Sequence, residues 1–169
     1  TKGNIHFDLA SSGAKFLDLF KDVSGSVSVE SQGVTIPSFA PDKLAAGLGT
    51  MASVPPNFQA VVNDAIKNQG ATTYAPFKAD LVFKDGVVSF DKISMAGDGR
   101  AVTFAGKVDL PSYKYDLTGD IQLKKPEGVP AFQIKRTASE VKKPSDYAVD
   151  IRAVEEWMTR KLAPVKAPE

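Results

Sequence analysis

The chain opens on alternation: Ile5, Phe7 and Leu9 are separated by His6 and Asp8, the period-two pattern of a strand with one buried face. Phe16, Leu19, Phe20 and Val23 then fall at helical spacing, with Ser12 as the expected N-cap. Residues 26–30 alternate again, and a Gln32-Gly33 turn leads into residues 34–36, so the predicted order is strand, helix, hairpin. Residues 44–63 carry no charge, but glycines and Pro55-Pro56 interrupt them, which predicts two soluble helices around the Pro-Pro break rather than a membrane span. The second helix is capped by Asn57, carries Phe58, Val61, Val62, Ala65 and Ile66 as one stripe, and ends at Gly70. So short a helix is marginal alone in water and must dock, with a sheet as its expected surface.

Beyond Tyr74 the pattern fixes registers. Asp85-Gly86 is a type I′ hairpin signal that pairs Lys84 with Val87, Phe83 with Val88 and Leu81 with Phe90. The alternation then slips between Phe90 and Ile93, which calls for a bulge near Asp91-Lys92. Asp98-Gly99 repeats the turn and pairs Met95 with Val102 and Ile93 with Phe104. Gly106, Val108 and Leu110 run through a Pro111-Ser112 connection into Tyr113, Tyr115, Leu117, Gly119, Ile121 and Leu123, and a last strand spans residues 129–136. A helix over residues 150–162 follows, with Ile151, Val154, Met158 and Leu162 as its stripe. The expected fold is α+β: a curved, mostly antiparallel meander with a few short helices on one face and a helix at the C-terminus. Residues 1–162 read as a single domain and 163–169 as a flexible tail.

Composition narrows the chemistry. The 169 residues include no cysteine and one histidine, which removes disulfides, thiolate metal sites and cysteine nucleophiles. The 21 basic and 20 acidic side chains leave no charge excess to attract nucleic acid, and none is expected as a partner. The mild shift along the chain, 11 basic against 13 acidic up to residue 123 and 10 against 7 after it, is too small for a basic tail. Lys124-Lys125, Lys135-Arg136 and Lys142-Lys143 lack interleaved aromatics and read as solubilising charge. His6 falls on a polar strand face without a serine or carboxylate arrangement in sequence, and Ser11-Ser12-Gly13 lacks the leading glycine of a nucleophile elbow. Asp80, Asp85, Asp91, Asp98, Asp109, Asp116 and Asp120 follow turns and solvent faces, not a calcium loop. Gly97-Asp98-Gly99, flanked by strands, reads as a turn. No catalytic residue, cofactor or metal site is expected, and the protein is read as non-enzymatic.

The apolar face is the stronger clue. Leu81, Phe83, Val88, Phe90, Ile93, Met95, Val102, Phe104, Tyr115 and Leu117 form the candidate groove. Either the helices cover this face and make an ordinary core, or part stays open to acyl chains or a partner segment. With no basic leader and apolar core at the start, the chain reads as cytoplasmic or as a piece of a larger protein.

In order and spacing, GNIHFDLASSG (residues 3–13), VSGSVSV (23–29), ATTYAPFKADLVFKDGVV (71–88), GKVDL (106–110) and YDL (115–117) resemble the C-terminal domain of AsmA-family proteins. The segment from Val34 to Phe39 departs from that pattern, and the stretch after Leu123 matches only loosely. The resemblance implies a periplasmic domain of an inner-membrane-anchored envelope protein, similar to the bridge-like proteins that carry phospholipid toward the outer membrane. The implied partners are phospholipid acyl chains, other envelope proteins, and the remainder of its own chain with an N-terminal membrane anchor. The alternative is a protein–protein interaction module assisting outer-membrane protein assembly.

Overall fold

The computed structural model describes residues 2–37, 39–67, 71–138 and 148–163. Strand β1 (Gly3–Ala10) precedes a single helical turn, α1 (Phe16–Leu19), and strands β2 (Ser24–Ser31) and β3 (Val34–Pro37). Helices α2 (Pro41–Thr50) and α3 (Phe58–Lys67) lie either side of Pro55-Pro56. Strands β4 (Ala71–Tyr74), β5 (Phe77–Lys84), β6 (Val87–Gly97), β7 (Arg100–Asp109), β8 (Lys114–Leu123), β9 (Phe132–Ala138) and β10 (Ala148–Asp150) follow, and α4 (Arg152–Leu162) comes last. The architecture is α+β. Among the described residues, an eight-stranded sheet runs in the order β1-β2-β5-β6-β7-β8-β9-β10, antiparallel throughout, and β3 pairs with β4 in a separate two-stranded sheet.

Local turn chemistry accounts for the middle of the sheet. Asp85 and Gly86 both have positive φ, 49° and 76°, as a type I′ turn requires, and Lys84 and Phe83 pair with Val87 and Val88. Asp98-Gly99 closes β6 on β7 with Met95 opposite Val102 and Ile93 opposite Phe104. The register slips between Phe90 and Ile93, at the Asp91-Lys92 bulge that the broken alternation predicts. Cross-strand partners share a face, so these registers sort the sheet into two kinds of row. Ile5, Val29, Ala79, Ile93, Phe104, Gly119, Ile134 and Val149 form one uninterrupted apolar row over all eight strands. Asn4, Glu30, Lys78, Ser94, Thr103, Asp120, Gln133 and Asp150 form a polar row on the opposite face.

Several local expectations are corrected. β2 does not fold back on β3: it lies between β1 and β5, and eight paired positions with β1 outweigh what a four-residue strand offers. Ser12 caps nothing, because α1 starts after Lys15 and lasts one turn; the neighbouring Ser11 hydroxyl instead donates to the Leu19 carbonyl at 2.6 Å. Val23 accordingly lies outside that helix. Leu110 and Tyr113 leave the alternation for the β7–β8 turn, where the Ser112 N–H donates to Asp109 Oδ1. Val129 precedes β9 and is buried in the core instead of opening the strand. Asp150 ends β10 and does not begin α4. Its carboxylate accepts from the Arg152 side chain at 2.9 and 2.5 Å and from the Arg152 N–H at 3.3 Å. The helix end expected at Gly70, the Lys142-Lys143 pair and tail residues 164–169 lie outside the described residues.

The core sits at one end of the apolar face. Leu44 and Leu48 of α2, Phe58, Val62 and Ile66 of α3, and Val154 and Met158 of α4 close over Met95, Val102, Ile121, Phe132 and Ile134. At the other end the same face is open, with Ile5 67% and Phe7 69% exposed. Among the described residues no helix is long and apolar enough to cross a membrane, a statement that does not touch spanning by strands.

Leu48→Ala or Met158→Ala is expected to lower unfolding stability by about 2–5 kcal/mol, the range for large-to-small core changes. Phe7→Ala is expected to change it by no more than about 0.5 kcal/mol. Urea unfolding checks the contrast. A second expectation concerns pH. Hydrogen bonding from Arg152 lowers the folded pKa of Asp150 from 3.8 to about 2, so its contribution is complete above 3.8 and is lost as pH falls through 2. An NMR titration of the Asp150 carboxyl checks this, with the midpoint returning toward 3.8 in Arg152→Ala.

Candidate functional site

The boundary between the covered and open halves of the face holds an apolar trough of about 220 Å³. Its lining comes from Phe90 and Ile93 of β6, Phe104 of β7, Leu117 of β8, Ile134 and Arg136 of β9, Ile36 of β3, and Phe39 just beyond β3. Two glycines make room for it. Gly106 stands between Phe90 and Leu117 in register, and Gly119 stands between Phe104 and Ile134. A Cβ on Gly119 would lie 2.5 Å from the Phe104 ring and 2.9 Å from Ile134, so the large neighbours lean into space that the glycine leaves. Gly106 has φ of 154°, and a Cβ on it would meet the Asp116 carbonyl oxygen at 2.2 Å.

Phe39 is the wall between trough and core. Its ring is 3% exposed, stacks on Tyr74 at 6.3 Å, and meets Phe104 at 6.1 Å in a tilted contact. Tyr74 in turn lies under the Arg100 guanidinium, 4.5 Å from its ring centroid. Arg100 donates to the Asp42 carboxylate and, at 2.7 Å, to the Thr73 carbonyl, so the one buried arginine ties β7 to α2 and β4. Burial pushes the Tyr74 hydroxyl up to about 12, the Arg100 charge opposing the shift in part. This cluster is a structural clamp: the Arg100 terminal nitrogens are engaged by Asp42 and Thr73, while the Tyr74 hydroxyl and Arg100 Nε are buried without a hydrogen-bond partner among the described residues.

The residues expected to form the groove separate into two sets. Met95 and Val102 lie under the helices at 3% and 1% exposure, in the closed core, and Val88 is buried at 7%. Leu81, Phe83, Phe90, Ile93, Phe104, Tyr115 and Leu117 are half-buried on the same face, and four of them line the trough. The open region also includes Ile5, Phe7 and Leu9 of β1 and Val27 and Val29 of β2, which the sequence reading left out because it did not join β2 to β5. Arg136 was read with Lys135 as solubilising charge. The strand period splits that pair: Lys135 faces solvent, and Arg136 lines the trough with its guanidinium 5.2 Å from the Tyr115 ring centroid. Its parity with Ile134 and Phe132 was the available signal.

The polar face brings His6, Ser28 and Asp80 into register. The Ser28 hydroxyl donates to Asp80 at 2.6 Å, so its proton is directed to the carboxylate and not to the histidine, the reverse of what an activated nucleophile needs. All sit on a solvent-facing surface. Among the described residues, no three His, Asp or Glu side chains gather as a metal site.

No family model, curated protein or solved structure matches the chain.

Gly106→Ala is expected to lower stability by about 1–3 kcal/mol, because the added carbon meets backbone rather than a movable side chain. Gly119→Ala is expected to be milder, with Phe104 displaced toward the trough. Urea unfolding measures both changes.

Proposed function

We propose that this chain is a non-enzymatic envelope domain of the AsmA type that receives phospholipid acyl chains on the open half of its sheet and passes them along that face. The observation that carries the reading is the apolar row from Val149 to Ile5: it crosses eight strands without a polar side chain, buried at one end and exposed at the other. Acyl chains need no specific hydrogen bonds, only burial, worth about 0.8 kcal/mol for each methylene. Such a row lets a chain slide without crossing a polar barrier, whereas a closed pocket would hold it. The sequence resemblance supplies the setting: the periplasm, as part of an inner-membrane-anchored protein in outer-membrane biogenesis.

A second reading is a protein-interaction module assisting outer-membrane protein assembly. It is favoured by β1, whose eight residues are all exposed and, among the described residues, pair on one side only, as in an edge strand.

The two readings separate on one experiment. The purified chain, mixed with phosphatidylethanolamine–phosphatidylglycerol vesicles carrying a fluorescent acyl lipid and then re-isolated, is expected to retain the label. Phe83→Asp, in the open half, is expected to reduce retention by about tenfold or more while leaving far-UV circular dichroism intact. Absence of label on the wild-type chain overturns the lipid reading. Partner capture that persists in Phe83→Asp favours the interaction module.

A further inference from the structure

The two edges of the large sheet are built differently. Among the described residues β10, at one edge, is three residues long, too short to offer much to another strand. At the other edge β1 runs for eight residues without a lysine, a proline or a break in its register with β2, so it lacks the features that keep an edge from pairing. Which of its backbone groups are free follows from one bond. The Gln32 N–H donates to the Lys2 carbonyl at 2.8 Å, in line with Gly3 opposite Ser31. The even-numbered residues of β1 therefore turn their backbone groups to β2, and Gly3, Ile5, Phe7 and Leu9 turn theirs outward. We propose that β1 is a self-pairing edge: two copies of this chain join antiparallel through β1, about a two-fold axis at Phe7. The inference rests on the interaction-module reading above and names the partner as a second copy.

Self-complementarity of the strand selects both occupant and register. With the axis at Phe7, that residue faces its own counterpart, Ile5 faces Leu9 and His6 faces Asp8. Outward-turned residues then meet outward-turned ones, and each such pair exchanges two backbone hydrogen bonds. On the apolar face Ile5, Phe7 and Leu9, the most water-exposed large side chains of β1, are each set against another apolar side chain. On the polar face a histidine N–H meets a carboxylate on either side of the axis. Moving the axis to His6 or Asp8 sets that residue against itself and leaves Leu9 opposite Gly3 or Ile5 opposite Ser11. Moving it to Ile5 or Leu9 sets Phe7 against Gly3 or Ser11. A two-fold axis normal to the sheet keeps both apolar faces on one side, so the open face of one copy runs into that of the other. The seam is one strand pair, which places the dimer among weak interfaces burying less than about 1,200 Å².

Sedimentation velocity of the purified chain is expected to show a reversible monomer–dimer equilibrium with Kd between about 1 µM and 1 mM. Disulfide trapping reads the register, because the chain has no cysteine of its own. Phe7→Cys is expected to yield a covalent dimer under oxidised glutathione, the paired Cα atoms lying about 5.5 Å apart. Ile5→Cys is expected not to link to itself but to link when mixed with Leu9→Cys. Phe7→Pro removes the outward N–H at the axis and leaves the bonds to β2, so about tenfold or more weaker dimerisation is expected with far-UV circular dichroism unchanged. Phe7→Lys, which sets like charges opposite each other, serves in its place if proline disrupts the strand. His6→Asp is expected to weaken the dimer, and the swap of His6→Asp with Asp8→His to restore it. A chain that stays monomeric up to about 1 mM overturns the proposal, as does a dimer indifferent to Phe7→Lys or self-linking by Ile5→Cys. A monomer that instead binds a different protein through β1, and loses it in Phe7→Lys, overturns the second copy as occupant while the interaction-module reading stands.

Discussion

The sheet is too wide for its helices, and the rest of the molecule follows from that mismatch. Eight strands at about 4.8 Å spacing span roughly 35 Å. Helices of ten or eleven residues are each about 15 Å long and about 10 Å across. Laid side by side, α2, α3 and α4 cover about half of the apolar face at most. They gather on the β6–β9 end, where Met95, Val102, Ile121 and Ile134 become a closed core. Phe77 and Ala79 of β5 mark the limit of that cover, and beyond it Ile5, Phe7 and Leu9 of β1 stay in contact with water.

Covered and open regions are nevertheless one surface, because the register never changes parity without compensation. The Asp91-Lys92 bulge restores Ile93 and Met95 to the face of Val88 and Phe90, so the row of large side chains continues past the bend. Gly106 and Gly119 then remove two side chains from that face where the helices stop. The trough is therefore framed by backbone, with Phe39 as a wall held from behind by Tyr74 and Arg100. Rigidity behind and openness in front are what a surface for sliding apolar chains requires, and no moving part is needed for either.

How much of this could be read in the sequence depended on how local the cause was. The β5–β6 and β6–β7 registers were legible because Asp-Gly dictates a type I′ turn within four residues, and the bulge because one broken alternation admits few repairs. The terminal helix showed through the spacing of Val154 and Met158. The β2–β5 pairing was not legible: two helices and a second small sheet separate these strands, and the apolar parity of β2 suits either neighbour. β10 is three residues long, too short for a period to appear. In the candidate site, Phe90, Ile93, Phe104 and Leu117 followed from alternation, whereas Ile36, Phe39 and Ile134 also line the trough and were not among the expected groove residues. Which of the expected residues the helices would cover did not follow from it, since coverage is set by packing over long separations. Arg136 was hidden by composition: a basic pair reads as solubilising until strand parity assigns its members to opposite faces.

The two arginines on the apolar face are placed differently. A charge left in an apolar environment carries a desolvation penalty unless a partner offsets it. For Arg100 that partner is internal: Asp42 and the Thr73 carbonyl accept from its two terminal nitrogens, and the product is a clamp between β7, α2 and β4. Arg136 is only partly withdrawn from water, with an aromatic ring beneath it and the trough beside it. The same residue type thus clamps elements together at the covered end of the face and lines the trough at the open end. The difference is where the helices stop.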